Sequence, residues 1–354
     1  MPVYKSKGMI KSTLFERNEY QLIIEIGMME TKVGTSLEHI PFKIVKTPAD
    51  VFFNPDFLTK DYFKLYKAPS QAFELRLEEF LYSLFFEEMT ENSENVELIV
   101  SLNMFVPSYI VASVEQILKK KFQVSVVNMI PSQLAAMYTS TTDSGIIVDF
   151  GFSNISFIPF FKGFVLRKFV YKTSNNGVTL FKKLYESVKK INPTIDSLPF
   201  EAKIDLLNQL LINCISVPTI EDNNLIEENF EKDKDKMRNK ILKFSNPNLS
   251  LFFNYLENFR VANFLFEHPQ SIAQEFIDFL RSMPSHICVF LIGNIIPTGG
   301  LLLINKFFVR FRQELEALTL NDPEVKKAFP DKFFENSHFT YVSYSASVLN
   351  WAGG

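Results

Sequence analysis

GIIVDFGFSNISFIPFFKGF, residues 145 to 164, carries more of the reading than any other stretch of the chain. The apolar run Ile146-Ile147-Val148 ends in Asp149. A turn follows at Phe150-Gly151, then a second β-rich run from Ile155 to Phe161 and a tight Lys162-Gly163. A buried strand that delivers a carboxylate into a glycine turn is one way folds aim charge and backbone N–H groups at phosphate and metal.

An earlier segment has the same shape. Leu22-Ile23-Ile24 leads to Glu25, then Ile26-Gly27, then a second β-like run ending at Gly34. Two strand–acid–turn–strand hairpins about a domain's length apart predict a duplicated, two-lobed α/β fold with a central cleft. The segments between them alternate in the same way. Ala72 to Thr90 is amphipathic and predicted helical, and Val96 to Leu102 reads as a buried parallel strand. Ser108 is predicted to begin a helix and supply its own cap, with Lys119-Lys120-Lys121 suiting the C-terminal dipole. Val124 to Val127 reads as a strand, and Pro131 opens a helix over Ser132 to Thr139. Glu38 to Tyr66, with three prolines, reads as irregular with short strands at best.

Beyond the second hairpin, helices are predicted over Val178 to Lys190, Ile204 to Leu211, Ile272 to Leu280 and Leu303 to Leu318. Val289 to Ile292 with Ile295-Ile296 reads as a strand leading into Pro297-Thr298-Gly299-Gly300. Thr219 to Ser245 is charged and reads as an exposed helix or a solvated insertion. Thr340 to Gly354 holds one predicted strand.

Composition narrows the function classes. The 354 residues are 47% hydrophobic and 22% charged with a formal charge of −3, as for a soluble globular chain with no overall pull toward nucleic acid or anionic membrane. Phenylalanine is unusually frequent at 38 residues. That is either compositional drift or an apolar contact surface, since aromatics enrich interface cores. Cys214 and Cys288 stand in apolar contexts without ligand spacing, which argues against zinc and disulfides and for a reducing cytosol. No signal peptide is visible in Met1 to Tyr20. The apolar stretch Ile287 to Ile304 is broken by Asn294, Pro297 and Gly299-Gly300, so it is not expected to span a membrane. His39, His268, His286 and His338 are scattered and expected to be structural or exposed.

In their order, five landmarks resemble the actin superfamily: Glu25 to Gly34, Pro131 to Thr139, Asp149 to Gly163, Gly299-Gly300 and Gly353-Gly354. The resemblance covers nearly the whole chain and implies the two-lobed fold of actin, hexokinase and the chaperone ATPases. The first lobe is expected at residues 1–139 plus 338–354 and the second at 140–337, with the insertion near 219–245. Gly34 to Ala72 is short for the second subdomain, whose loop in actins grips the next filament subunit. Family members continue past the second connecting glycines, so the first lobe is expected to be cut short at Gly354. The start MPVY, Ile130-Pro131-Ser132, Leu265-Phe266-Glu267-His268, Gln270-Ser271-Ile272-Ala273 and Trp351-Ala352-Gly353-Gly354 are similar to actin-related subunits of the dynactin pointed end.

Superfamily members that hydrolyse ATP use two aspartates for hydrated Mg²⁺, backbone amides and a serine on the phosphates, and a glutamine that positions water. Here the first aspartate position is Glu25, and Met28-Met29 stand where that turn needs small residues. Phe150 and Phe152 flank Asp149 and Gly151. Ser132 holds the glutamine position, and Gln133 lies about 100° further round a helix. The resemblance assigns any nucleotide contact to Gly27, Lys32, Asp149, Gly151, Gly299 and Gly300. Lys32 is either a phosphate contact or a surface lysine. Asp149 is either a metal-facing carboxylate or a relic that caps its turn.

The resulting expectation is a non-catalytic protein with no cofactor, ATP or ADP with Mg²⁺ being the alternative. As implied by the resemblance, its partners are the actin-like filament of dynactin and the other pointed-end subunits, in the cytoplasm and cytoskeleton, with no nucleic acid and no membrane insertion. Two competing readings are an ATP-cycling actin-like switch and a nuclear actin-related subunit of a chromatin remodelling complex.

Overall fold

The computed structural model describes residues 21–36, 38–58, 65–88, 97–140, 142–222, 241–246, 249–254, 260–267, 271–321 and 323. The chain divides into two compact units, 1–141 with 342–354 and 142–341.

The first unit is built on a five-stranded mixed sheet. Its strands are β1 (Leu22–Ile26), β2 (Glu30–Thr35), β3 (Lys43–Lys46), β4 (Glu97–Leu102) and β5 (Val126–Pro131), in the order β3-β2-β1-β4-β5. The β1–β2–β3 side is antiparallel and β1–β4–β5 is parallel. Every residue of β1 is buried, as the continuous apolar run requires of a strand with both faces covered. Two short pieces, helix α1 (Ala49–Phe52) and the 3-10 turn Pro55–Leu58, lie in the stretch read as irregular. Helix α2 (Gln71–Tyr82) starts on Ser70, whose hydroxyl accepts from the N–H of Phe73, and runs into a π-helical turn over Ser83–Glu88. Helix α3 (Ser108–Gln116) likewise ends in a π-helical turn, Ile117–Lys121. Phe73, Leu77, Phe80, Leu81, Ile110 and Val114 face inward onto Leu22, Ile24, Leu98 and Val100 to form the core. Helix α4 (Ser132–Tyr138) follows β5 directly.

The second unit carries its own mixed sheet: β6 (Gly145–Phe150), β7 (Ile155–Phe161), β8 (Phe164–Val165), β9 (Tyr171–Lys172) and β12 (Ile295–Thr298). β12 pairs parallel with β6, and β7 pairs antiparallel with β6, β8 and β9. Its helices are α5 (Gly177–Ile191), α6 (Phe200–Asn213), α7 (Ile272–Ser282), α8 (Ser285–Leu291) and α9 (Phe307–Asn321). A separate hairpin joins β10 (Ile241–Asn246) to β11 (Leu249–Asn254).

Phenylalanine dominates this core. Phe157 packs against Phe276 and Phe279 at 5.0 and 5.4 Å between centroids, and Phe276 reaches Phe311 at 5.8 Å. Each ring so buried contributes roughly 1.5–3 kcal/mol. Arg310 on α9 is buried with Glu314 at 2.7 Å, and it also donates to the Pro218 carbonyl at 2.7 Å.

Several expectations are corrected. Val289 to Ile292 is not a strand: Val289 and Phe290 lie on α8, which opens after Pro284, and Ile292 caps it. A β-branched and aromatic run favours strand locally, but burial of Cys288 and Leu291 at helical spacing decides the outcome. Leu303 closes a 3-10 turn, Gly300–Leu303, and the helix expected from there begins at Phe307. Ser108 is the first helical residue and not the cap; Pro107 holds that position with no side-chain hydrogen bond. The strand expected at Val124 to Val127 runs instead from Val126 to Pro131. The last part of the charged 219–245 stretch lies in strand β10 rather than in a helix. Residues 223–240, the predicted strand in 340–354, His268, His338, Gly353 and Gly354 lie outside the described residues. His39 and His286 are exposed.

Candidate functional site

In the first unit, the β1–β2 hairpin places Glu25 directly opposite Lys32 in the antiparallel register. The two side chains meet at 2.8 Å, and only 8% and 9% of their respective areas remain exposed. Lys32 is therefore not the surface lysine allowed above; it is buried and paired. The physical cause is the hairpin itself, since residues directly across a strand pair share one face. The turn is also closed by its own atoms. The Gly27 N–H donates to the Glu30 carbonyl at 3.1 Å, and a Cβ on Gly27 would collide with that same oxygen. Thr47 Oγ1 donates to the Gly27 carbonyl at 2.9 Å, and the Thr47 N–H donates to Met29 at 3.0 Å. Met28 packs against the core of the unit.

Gln133 sits fully buried on α4, and its Oε1 accepts from the Met104 N–H at 2.9 Å and the Ser132 hydroxyl at 3.3 Å. Its amide holds the loop after β4.

In the second unit, Asp149 is 3% exposed near the end of β6, opposite Ser156 on β7 and Thr298 on β12. Two of the expected glycines flank its carboxylate. A Cβ on Gly151 would lie 3.5 Å from Oδ2, and one on Gly299 would lie 2.7 Å from Oδ1 and 2.5 Å from the Phe150 carbonyl. Gly299 also has φ +105°, which only glycine adopts without strain. Gly300 has open space around it. Asp149, Gly151 and Gly299 are thus gathered at one point, with Gly300 beside them. Asn154 Oδ1 and Ser156 Oγ are buried there without a hydrogen-bond partner among the described residues.

Phe150 does not crowd this carboxylate. Neighbours on a strand point to opposite faces, and the Phe150 ring is buried between Phe307 and Phe311 at 5.3 and 5.1 Å. Phe152 packs edge-on against Phe181 at 5.1 Å, and its carbonyl accepts from the Val178 N–H on α5 at 2.9 Å.

The Actin family model matches residues 76–243, just under half of the chain. Over that stretch the chain is similar to actin. The actin-like match takes in α4 and the Asp149 turn and leaves the Glu25 hairpin and Gly299-Gly300 outside it. No curated protein matches the chain. With its two mixed sheets and surrounding helices, the fold is α/β of the actin-like class.

An actin-like fold implies a magnesium nucleotide, and the two hairpins fit that group differently. A hydrated divalent ion needs carboxylate oxygens whose charge is available to it. Glu25 offers one already neutralised by Lys32, so the first hairpin does not fit. The second hairpin, with a buried carboxylate beside orphaned polar atoms and a close-approach glycine, does. Among the described residues there is no cluster of three or more His, Cys, Asp or Glu able to hold a metal, and no helix is long and apolar enough to cross a membrane. Sequence reasoning missed the Glu25–Lys32 pair, the Gln133–Met104 bond and the orphaned Asn154 and Ser156. Only the first left a trace: an acid and a base symmetrically placed about a turn.

Proposed function

We propose that the chain is a non-catalytic actin-related subunit that caps the pointed end of dynactin's actin-like filament and links it to other pointed-end subunits, supporting dynein-based transport on microtubules in the cytoplasm. The single observation behind the non-catalytic half of this reading is the buried Glu25–Lys32 pair. It turns the metal and phosphate positions of the first hairpin onto each other. Exposed apolar surface supports the docking half. Ile40, Phe42 and Ile44 are 64%, 46% and 51% exposed at the sheet edge of the first unit, and Val289, Phe290 and Phe164 are 59%, 55% and 77% exposed on the second. Apolar groups left in water at this density suit a surface that is covered in an assembly.

The test is affinity purification of the tagged full chain with mass spectrometry, and a nucleotide assay on the same sample. The expected result is recovery of dynactin subunits with no stoichiometric nucleotide. Recovery of remodelling-complex subunits instead, or incorporation along actin-like filaments rather than at one tip, overturns the reading.

Asn154 and Ser156 beside Asp149 favour a second reading, an ATP-cycling actin-like switch. It predicts thermal stabilisation that grows with Mg-ATP concentration, and turnover that disappears in Asp149→Ala.

A further inference from the structure

The turn that ends β7 carries aromatic side chains into water. Phe161 and Phe164 are Cα partners across the β7–β8 hairpin, so both rings lie on one face. Phe161 also meets Phe290 of α8 at 5.5 Å between ring centroids. Phe164, Phe161 and Phe290 thus form a contiguous row, with Val289 next to it on α8, and all four are exposed. The backbone under the row is tied down. The Lys162 N–H donates to Ser144 Oγ at 2.9 Å, the Gly163 N–H to the Asp143 carbonyl at 2.7 Å, and the Leu166 N–H to the Pro159 carbonyl at 2.8 Å. Rings held out on a fixed backbone lose little freedom when a partner covers them, which suits them as binding anchors.

The turn itself gives an independent sign. Lys162 and Gly163 have φ +50° and +77°, the paired positive values of a type I′ turn. Asparagine, aspartate or glycine is favoured at the first of these places, and lysine there costs backbone strain. Such strain points to a use for the side chain. Lys162 Nζ lies 5.5 Å from the centre of the Phe161 ring. Arg167 and Lys168 follow, both exposed. Against these three cations stands Asp143 beside the turn, whose carboxylate accepts from the Ser144 hydroxyl at 2.7 Å. Ser282 to Asn305, which includes α8, contains no Asp, Glu, Lys or Arg. The apolar row is therefore flanked by a local excess of positive charge, in a chain whose overall formal charge is −3.

We infer that this face docks an acidic peptide segment of a partner protein. Apolar side chains of the segment cover Phe161, Phe164 and Phe290, and its carboxylates meet Lys162, Arg167 and Lys168. A second copy of the chain would bring the same cations together. An anionic bilayer or a nucleic acid is opposed by the overall negative charge, whereas a short segment meets only the local excess. This docking rests on the apolar surface invoked for the capping role and adds to it the charge of the partner.

The experiment places the photoreactive amino acid benzoylphenylalanine at the position of Phe164 in the tagged full chain, irradiates it in cells, and sequences the cross-linked peptide by mass spectrometry. The expected adduct is a segment in which Asp and Glu outnumber Lys and Arg among apolar residues. Made as a synthetic peptide, it is expected to bind the purified chain. Lys162→Glu, Arg167→Glu and Lys168→Glu combined should weaken that binding roughly tenfold or more at low salt, and less as salt rises. Lys162→Gly separates docking from folding. Glycine fits the turn, so the unfolding midpoint stays at or above that of wild type while peptide binding falls. A neutral or basic adduct, peptide binding indifferent to the triple reversal, or sedimentation with phosphatidylserine vesicles in place of peptide binding overturns the inference. No adduct in a sample that recovers dynactin subunits overturns it and leaves the capping role standing. An acidic adduct from a protein outside dynactin supports it and overturns the capping role.

Discussion

Glu25 Oε2 and Lys32 Nζ lie 2.8 Å apart across the first hairpin, both inside the protein. Two charges taken out of water in this way depend on each other, and the loss of one strands its partner. Lys32→Met is therefore expected to cost about 3–5 kcal/mol in urea unfolding. Glu25→Gln combined with Lys32→Met should recover most of that. A single variant as stable as wild type would show that the carboxylate finds water or another partner.

The two adjacent glycines after β12 should behave in opposite ways. Gly299 has positive φ and no room for a Cβ, whereas Gly300 has both a permitted backbone and empty space. Gly299→Ala is expected to lose about 2–4 kcal/mol, combining backbone strain with a collision against Phe150. Gly300→Ala should change stability by less than about 1 kcal/mol. Chemical denaturation of the two proteins side by side distinguishes them, and equal effects would contradict the geometry.

Cys288 provides a pH dependence. Burial pushes its thiol up from the ordinary 9.0 to about 12. In that window the unfolded chain has released its proton and the folded chain has not. Raising the pH through it therefore favours unfolding, by at most about 1.4 kcal/mol per pH unit, and below it the effect is absent. Cys288→Ala should flatten the loss of stability as the pH rises above about 9 relative to wild type. In the native protein Cys288 should not react with a thiol reagent near neutrality, and an immediate reaction would show that the site opens.

Two phenylalanines separate folding from docking. Phe150 is fully buried between Phe307 and Phe311, so Phe150→Ala should cost about 3–5 kcal/mol. Phe290 is 55% exposed and touches Phe161 at 5.5 Å. Phe290→Glu should leave the unfolding midpoint near wild type while reducing partner recovery in pull-downs. Undiminished recovery would remove this patch from the docking surface.

Both hairpins were legible because a buried strand writes itself as an uninterrupted apolar run, and Glu25 and Asp149 stand out at the ends of such runs. The alternation that turns Phe150 away from Asp149 was equally present in the sequence; attention to side-chain bulk beside the acid obscured it. α8 was misread because Ile287 to Ile292 is apolar on every side, which leaves no period to count. Pro284, at the N-cap of α8, was the remaining clue. The orphaned atoms of Asn154 and Ser156 were not legible at all, since satisfaction of a polar group is a property of three-dimensional neighbours.

The places of the strands along the chain set a timetable for synthesis. All five strands of the first sheet fall between Leu22 and Pro131, so that sheet can assemble on the nascent polypeptide before most of the second unit has left the ribosome. The second sheet has to wait. β6 emerges near residue 145, but its parallel neighbour β12 is not made until Ile295–Thr298, and closing so long an intervening loop is entropically slow. In that interval one flank of β6 is without its native neighbour, and during translation this is the moment when a chaperone has most to protect.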